Sequence, residues 1–206
     1  MNEAVKCLVS GDVIIYPTET VFGLAVDPFN QIAVNKLLKI KGRECSAGIS
    51  LIAVSEQNIK QLVDEKEGDE IKARRFALQK NFWPGPLTIV FKASSYAKSV
   101  IASGVFGPDD TLAVRVSSRT SASKLALLSP SGLITSTSAN PKGLTPANSI
   151  NEAKAYFPDF YILKNLENGQ EANSHTPSTL IKATNLPFEI IREGAITKAE
   201  LLDFIN

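Results

Sequence analysis

An arginine stands inside an apolar stretch that has the pattern of a β-strand. In Thr111-Leu112-Ala113-Val114-Arg115, side chains two residues apart share a face, so Thr111, Ala113 and Arg115 lie together. A guanidinium inside a sheet is costly to bury alone and needs an anionic partner. The sequence leaves two partners open for Arg115: a carboxylate of the protein itself or an anionic ligand.

Two further segments place hydroxyl side chains beside strand-like runs. YPTETVFGL at 16–24 overlaps the end of the apolar run 13–16, and STSAN at 136–140 follows the run 133–135. Small hydroxyl residues let a ligand approach and offer hydrogen-bond donors and acceptors. Taken alone, the first segment is more typical of a structural turn between Pro17 and Gly23, and the second is also compatible with Asx or Ser/Thr turns.

Four basic residues cluster near the end of a helix predicted over 31–40. They are Lys36, Lys39, Lys41 and Arg43, of which the first two share a helix face. Converging cations suit a polyphosphate or a nucleic-acid backbone, although such clusters are more often a solvated surface. Because the apolar face of the helix lies elsewhere, the fold should not need Lys41 and Arg43. The motifs G-x-x-x-x-G-K-[ST] and G-x-G-x-x-G are missing from the sequence, so ATP would have to bind in another way.

The residue counts exclude several kinds of catalytic site. One histidine, His175, cannot build a site of two or three imidazoles, and Cys7 and Cys45 lack the paired spacing of a zinc site. A hydrolase triad would depend on that same histidine. An enzyme of this composition is therefore expected to act through positioning and charge rather than through a histidine relay.

The composition is that of a folded domain. The 206 residues are 44% hydrophobic and 21% charged, with a net charge of +1, which predicts one domain over 1–206 and excludes a global polycation. No apolar run is long enough to cross a membrane, and the first residues lack the pattern of a signal peptide. We therefore expect a cytoplasmic protein without membrane contact.

Strand-like and helix-like runs alternate along the chain and predict an α/β fold. Several strand pairs lack the helix that a parallel crossover requires, so the sheet should be mixed. Ser149-x-x-Glu152 and Thr197-x-x-Glu200 are capping boxes that begin two helices. Trp83, beside a rigid Pro-Gly-Pro turn, is expected in the core. Strands are predicted over 13–16, 22–26, 49–54, 87–93, 111–116, 133–135, 161–163, 179–183 and 189–191, and helices over 2–9, 31–40, 55–63, 69–82, 121–128, 149–157 and 197–205.

Six segments, taken together and in order, resemble the YrdC/Sua5 family, the threonylcarbamoyl-AMP synthases. They are YPTETVFGL at 16–24, KGR at 41–43, WPGPLT at 83–88, LAVRV at 112–116, STSAN at 136–140 and REGAIT at 192–197. Each segment is unspecific alone, but their order and spacing cover nearly the whole chain. The length is similar to that of the short, single-domain members of the family.

The resemblance implies a YrdC-like fold, which is a twisted mixed β-sheet with flanking helices around a large basic cavity. It also implies a nucleotidyltransferase that converts L-threonine, bicarbonate or CO2, and ATP into L-threonylcarbamoyl-AMP and pyrophosphate, with Mg2+ accompanying the ATP. The product would supply the threonylcarbamoyl group placed on adenosine 37 of tRNAs that read ANN codons, through downstream transfer proteins. A tRNA itself is a candidate partner.

Family roles carry over only to positions that match the family's motifs. On this resemblance, Lys41 and Arg43 contact the phosphates and are the catalytic pair. The residues implied to bind threonine are Thr18, Arg115, Ser136 and Ser178, and those implied to bind ATP, besides Lys41 and Arg43, are Thr111, Ser138, Asn140 and Arg192. No residue is implied to hold a metal ion directly.

The departures from the family pattern concern the rim of the implied site. The family usually has proline where this chain has Glu44, and a proline–leucine pair where it has Gly48-Ile49. Some members carry a histidine near Ile52 and a serine near Pro146.

Two other interpretations stay open. One is a non-catalytic module that binds tRNA or double-stranded RNA, and the other is an accessory domain of a carbamoyltransferase. The hydroxyls of 136–140 and a buried Arg115 favour a small-molecule site, because RNA binding needs neither. The near-zero net charge also weighs against RNA as the main ligand.

Overall fold

One mixed sheet runs through the residues that the computed structural model describes, which are 3–42, 48–64, 66–163 and 176–205. Its strands are β1 Ile14–Tyr16, β2 Gly23–Ala25, β3 Ser50–Ala53, β4 Leu87–Lys92, β5 Thr111–Val116, β6 Leu133–Ser138, β7 Tyr161–Ile162, β8 Thr179–Lys182 and β9 Glu189–Arg192. They lie in the order β7-β1-β2-β6-β3-β5-β4-β8-β9.

Parallel and antiparallel neighbours occur side by side in this sheet. The pairs β1–β2, β2–β6, β3–β6, β4–β5 and β8–β9 are antiparallel. The pairs β1–β7, β3–β5 and β4–β8 are parallel. The mixed sheet predicted from the sequence is therefore confirmed, while the bounds 1–206 of the predicted domain stay a prediction.

Helices flank the sheet. Those in the described residues are α1 Glu3–Ser10, α2 Gln31–Lys41, α3 Asp69–Phe82, α4 Ser95–Val100, α5 Thr120–Leu128, α6 Ile150–Tyr156 and α7 Lys198–Ile205. The start of α2 is fixed by Asn30, whose Oδ1 accepts from the N–H of Ala33 at 3.1 Å. Its end is fixed by Gly42, which adopts the left-handed conformation at φ 55°.

Local sequence signals predicted several of these elements well. The side chain of Thr197 accepts from the N–H of Glu200, and Glu200 accepts in return from the N–H of Thr197, so this capping box is confirmed. The side chain of Ser149 accepts from the N–H of Glu152 and so caps α6 as predicted, but the carboxylate of Glu152 accepts from the N–H of Asn148 and the box is not reciprocal. The bounds of α3 and β5 match the predicted ones. In the described ranges, no helix is both long enough and apolar enough to cross a membrane.

Two predicted elements differ from the structure, and one helix of the structure was not predicted. The helix predicted over 55–63 is only a short 3-10 helix over Glu56–Ile59, because this polar segment has few apolar side chains to bury along a helix face. The six-residue helix α4 was not predicted, since it buries only Ala97 and is too short to show a period. The strand predicted over 133–135 continues to Ser138, because β2 pairs with Thr137 and Ser138.

Alternate residues of the strands pack into two apolar layers, one on each face of the sheet. Ile52 belongs to the smaller layer, which α1 and α5 cover, whereas its neighbour Leu51 belongs to the larger layer with α2. Trp83 packs against the larger layer, and its Nε1–H donates to the carbonyl of Leu87 at 2.7 Å, which confirms its expected core position. Arg115 is the register partner of Ile52 and so lies on the face of the smaller layer.

Candidate functional site

The face of the sheet that carries the smaller apolar layer also carries a polar trough. Thr111, Ala113 and Arg115 follow one another on this face of β5, as their alternation predicts. Arg115 lines a first cavity of about 230 Å³. Ala113 and Thr111 line a second cavity of about 320 Å³. Arg115 is four residues beyond Thr111 along the strand, which puts their Cα atoms roughly 13 Å apart.

The neighbouring strands repeat this order. Thr88 lines the first cavity and Val90, two residues on, lines the second. Ser178 lines the first cavity and Lys182, at the end of β8, lines the second. The first cavity and the second cavity are therefore consecutive parts of one trough.

Hydroxyl groups and cations dominate the polar lining of the trough. Among the described lining residues, the charged ones are Arg115, Arg192 and Lys182. The first cavity is lined by Thr18, Thr20, Val21, Phe22, Gly23, Ser50, Leu51, Thr88, Arg115, Ser136, Thr137, Ser138, Pro146, Pro177, Ser178 and Arg192. The second is lined by Gly48, Ile49, Ser50, Val90, Val105, Gly107, Pro108, Thr111, Ala113, Leu180, Lys182, Ile191 and Arg192.

The structure brings together the residues that the resemblance implies for threonine. All of them line the first cavity: Thr18, Arg115, Ser136 and Ser178. The hydroxyl of Thr18 donates to the carbonyl of Val21 at 2.6 Å and accepts from the N–H of Thr20 at 3.1 Å. The hydroxyls of Ser178 and Thr88 are hydrogen-bonded at 2.9 Å. These bonds fix the orientation of hydroxyl groups that line the cavity.

Arg115 has a protein carboxylate as a partner and also faces the cavity. Its Nη1 donates to Oε1 of Glu19 at 2.8 Å, and the hydroxyl of Ser117 donates to Oε2 of the same carboxylate. The side chains of Arg115 and Glu19 are only 5% and 10% exposed. With respect to the described residues, Nη1 is the one guanidinium nitrogen of Arg115 with a hydrogen bond, so Nε and Nη2 remain for a ligand. The protein carboxylate that the sequence left open is therefore present, while an anionic ligand on the same guanidinium stays a prediction.

Tyr16 packs directly behind Gly23, which lines the first cavity. The two are register partners of β1 and β2, and a Cβ on Gly23 would lie 2.9 Å from the ring of Tyr16, so this position needs glycine. The phenol of Tyr16 donates to the carbonyl of Thr135 at 3.4 Å. Burial raises the pKa of Tyr16 to about 12, so this hydroxyl is neutral at physiological pH and does not serve as a base.

The residues implied for ATP are distributed along the trough. Thr111 lines the second cavity, and its hydroxyl donates to the carbonyl of Pro108 at 2.8 Å. Ser138 lines the first cavity, and Arg192 lines both. The guanidinium of Arg192 donates to the carbonyl of Ser178 at 2.8 Å through Nη2 and at 3.2 Å through Nε.

Lys41 is buried rather than solvated. It is 4% exposed, and its ammonium donates to the carbonyls of Ser138 at 2.7 Å and Asn140 at 2.6 Å, and to Oδ1 of Asn140 at 2.9 Å. Neither Lys41 nor Asn140 is among the described residues that line the two cavities. The expectation that the fold does not need Lys41 is wrong, because this lysine joins the end of α2 to the loop after β6.

The described lysines of the predicted basic cluster do not come together at one site. Lys36 is exposed and pairs with Asp12 at 2.6 Å, and Lys39 is exposed as well. Arg43 lies outside the described residues, as does His175. The alternative of a solvated basic face therefore describes Lys36 and Lys39.

The residues that depart from the family pattern lie in different parts of the structure. Ile52 is fully buried in the smaller apolar layer and does not line either cavity. Gly48 lines the second cavity with φ 64°, and Pro146 lines the first. Glu44 lies outside the described residues. Among the described residues, the polar side chains that line the first cavity are hydroxyls, Arg115 and Arg192.

Sequence reasoning did not single out three polar residues of this site. Glu19 stands beside Thr18 in YPTET, and Thr88 ends WPGPLT, so the segments that carry the resemblance already contained both. Ser50 is a lone serine at the start of a strand, and no sequence signal marks it.

Carboxylates do not gather at the trough. Over the described ranges, no group of three or more His, Cys, Asp and Glu side chains is placed to hold a metal ion. Mg2+ therefore stays a prediction, and oxygen ligands from phosphates and water are the ones it would take in this trough.

Comparisons of sequence place this chain among known proteins. A model of the family Sua5_yciO_yrdC, described as "Telomere recombination", matches residues 6–194. A protein of Coxiella burnetii named "Threonylcarbamoyl-AMP synthase" is 37% identical over 192 residues, which cover 93% of this chain and 96% of that relative. The resemblance seen in the sequence is thereby confirmed.

Comparisons of structure agree. P. abyssi Sua5, solved in complex with L-threonine, is similar with a TM-score of 0.86 and 28% identity over 98% of this chain. This chain spans 56% of the length of that protein. E. coli YciO has the same fold, with a TM-score of 0.75, 21% identity, and coverage of 94% of this chain and 88% of that one. The predicted YrdC-like fold, with its mixed sheet and flanking helices, is confirmed, while a large basic cavity stays a prediction.

Proposed function

Because the chain belongs to the Sua5_yciO_yrdC family, we propose that it is a threonylcarbamoyl-AMP synthase. The reaction joins L-threonine, bicarbonate or CO2, and ATP into L-threonylcarbamoyl-AMP and releases pyrophosphate. The observation that carries the proposal is the 37% identity, over 93% of this chain, to a relative of that name. A trough with two chemically different ends suits the joining of an amino acid to a nucleotide.

Threonine is assigned to the first cavity. Arg115 offers Nε and Nη2, and a guanidinium can bind a carboxylate through two parallel hydrogen bonds. Thr18, Ser136 and Ser178 offer hydroxyls to the amino and hydroxyl groups of the amino acid. The likeness to P. abyssi Sua5, which was solved with L-threonine, supports this assignment.

ATP is assigned to the second cavity and to the boundary between the two. Thr111 and Lys182 lie at the far end, and Arg192 lies at the boundary. Lys41 is connected to this region through Ser138, because its ammonium donates a hydrogen bond to the carbonyl of Ser138 at 2.7 Å. We propose that Lys41, Asn140 and Arg43 add positive charge and hydrogen bonds for the phosphates beside Ser138.

The mechanism needs no catalytic histidine. The neutral amine of threonine attacks CO2 to form a carbamate, and a carbamate oxygen then attacks the α-phosphorus of ATP while pyrophosphate leaves. Because the second nucleophile is already an anion, the protein has to orient the reactants, exclude water and stabilise the charge on the leaving group. Arg115 holds the amino acid, and Arg192, Lys41 and Arg43 supply charge on the phosphate side.

Several partners follow from this function. Mg2+ would enter with ATP, bound to phosphate oxygens, and supply charge to the departing pyrophosphate. The product would pass to downstream proteins that transfer the threonylcarbamoyl group to adenosine 37 of tRNAs that read ANN codons. We expect these steps in the cytoplasm, and direct binding of tRNA to this chain is a secondary expectation.

Pyrophosphate release tests the function. Release should require L-threonine, bicarbonate and ATP together, and the other amino acids should replace threonine poorly. Equal release without threonine or without bicarbonate would contradict the proposal. An inactive protein that binds tRNA tightly, with a salt dependence typical of phosphate contacts, would instead support the RNA-binding alternative.

A further inference from the structure

Two side chains stand at the boundary of the trough. Among the described residues, Ser50 and Arg192 are the ones that line both cavities. The boundary is where a ligand of the first cavity and a ligand of the second cavity must meet. Arg192 was already implied by the family resemblance, whereas no role has been given to Ser50.

The side chain of Ser50 is directed into the trough by the sheet. Ser50 is the register partner of Ser136, and side chains of paired residues lie on the same face. Ser136 lines the first cavity, so the hydroxyl of Ser50 lies beside it on the trough side. Ser50 is partly exposed, and its hydroxyl has no hydrogen-bond partner among the described residues. It therefore has both a donor and an acceptor to offer to a ligand.

We propose that the hydroxyl of Ser50 contacts the carbamate and the α-phosphate as they react, an inference that rests on the proposed function. In this step a bond forms between a carbamate oxygen and the α-phosphorus. The bond from that phosphorus to the oxygen bridging to the β-phosphate breaks, and its electron pair leaves with pyrophosphate. Ser50 gives up no proton; it donates a hydrogen bond to an oxygen whose negative charge changes during the step.

Substitution of Ser50 separates this role from a structural one. In Ser50→Ala, kcat for pyrophosphate release should fall about 100- to 1000-fold, as for other single donors to a transition state. The KM values for threonine and ATP should stay within about threefold, because each substrate keeps its own cavity. Ser50→Thr, which keeps the hydroxyl, should retain most of the activity. Ser99→Ala, on the exposed surface of α4 where its hydroxyl bonds to the carbonyl of Tyr96, is the matched control.

The outcomes are decisive once the wild-type protein is shown to need threonine and bicarbonate. Wild-type kcat in Ser50→Ala overturns the inference and leaves the proposed function intact. A change confined to the KM of one substrate, or an equal loss in Ser50→Thr, also overturns it. Should Ser50→Ala fold poorly by thermal denaturation, Ser50→Cys replaces it with the same expected loss, because a thiol is a weak donor of similar size.

Discussion

Glu19 and Arg115, which are 96 residues apart in the sequence, form a buried ion pair at 2.8 Å in the wall of the first cavity. The carboxylate accepts from Nη1, so the guanidinium is held in one orientation at the first cavity, which Arg115 lines. A ligand carboxylate that binds there meets a cation that is already in place. The same pair makes Arg115 important for stability, because removing one member leaves the other as a buried charge without its partner.

Arg115→Lys should lose threonine affinity while ATP binding changes little. The ammonium of a lysine is a point charge, so it cannot bind the threonine carboxylate and Glu19 through separate N–H groups as a guanidinium does. Threonine should therefore bind at least about tenfold more weakly. Glu19→Gln should weaken threonine binding in the same direction, because Arg115 loses its anchor. Titration calorimetry with each substrate measures both effects.

The control for this pair is Arg74→Lys, because Arg74 and Glu70 form an exposed pair at 2.9 Å on α3. It should change neither affinity nor melting temperature. Unchanged threonine affinity in Arg115→Lys, together with a large loss of stability of about 3–5 kcal/mol, would show that Arg115 is only structural.

Lys41→Ala should destabilise the protein, and Lys36→Ala should not. Lys41 is buried and its ammonium makes three hydrogen bonds to Ser138 and Asn140, so its loss should lower the free energy of unfolding by about 1.5–3 kcal/mol. Lys36 pairs with Asp12 on the surface, which is worth about 0–1 kcal/mol. Urea denaturation compares the two variants, and equal midpoints would refute the structural role of Lys41.

Gly194→Ala should disturb the first cavity from behind. A Cβ at Gly194 would lie 2.6 Å from the carbonyl carbon of Ser178 and 2.8 Å from its oxygen, so the backbone of Ser178 has to shift. Such overpacking costs about 1–3 kcal/mol, and threonine affinity should fall with it. Gly68→Ala is the control, since a Cβ there meets nothing within 4 Å. A melting curve and a threonine titration that are both unchanged in Gly194→Ala would contradict this account.

Because of Tyr16, the free energy of unfolding should decrease at alkaline pH. Burial raises its pKa to about 12, above the ordinary value near 10, so between these pH values the unfolded state ionises while the folded state stays protonated. The unfolded state then binds fewer protons, and stability falls by about 1.4 kcal/mol per pH unit as the pH rises through this window. Below pH 10 the phenol contributes no pH dependence.

Denaturation at pH 9 and at pH 11 measures this effect. Tyr16→Phe should show a smaller fall in stability between the two pH values than the wild type. Tyr96→Phe, at a half-exposed position on α4, is the matched control. If the fall is the same in Tyr16→Phe and the wild type, Tyr16 is not the group responsible.

Sequence reasoning succeeded where the information is local. Thr111, Ala113 and Arg115 share a face because strand side chains alternate, and the helix starts at Ser149 and Thr197 follow from capping chemistry within four residues. The family resemblance, rather than local chemistry, identified the residues implied for threonine, and the fold brings them to one cavity. Each of these inferences needed only neighbours along the chain or a recurring set of motifs.

The remainder depends on contacts between distant segments. Lys41 looked like a surface charge because its partners, the carbonyl groups of Ser138 and Asn140, lie 97 and 99 residues away. Serines have little preference for strands, so the extension of β6 to Ser138 comes from its pairing with β2. The position of Ser50 opposite Ser136 likewise follows from sheet register, which no local pattern encodes.

Ser136 and Ser138, two of the serines that line the first cavity, are carried by β6, which lies between β2 and β3 in the interior of the sheet. The conformational entropy of this wall is lost when the chain folds, so an arriving ligand does not have to order it. This wall cannot move outward to fit a bulkier ligand, because a shift of β6 would break its pairing with both β2 and β3. Under the proposed function, discrimination between threonine and larger amino acids therefore depends on strand pairing in the middle of the sheet.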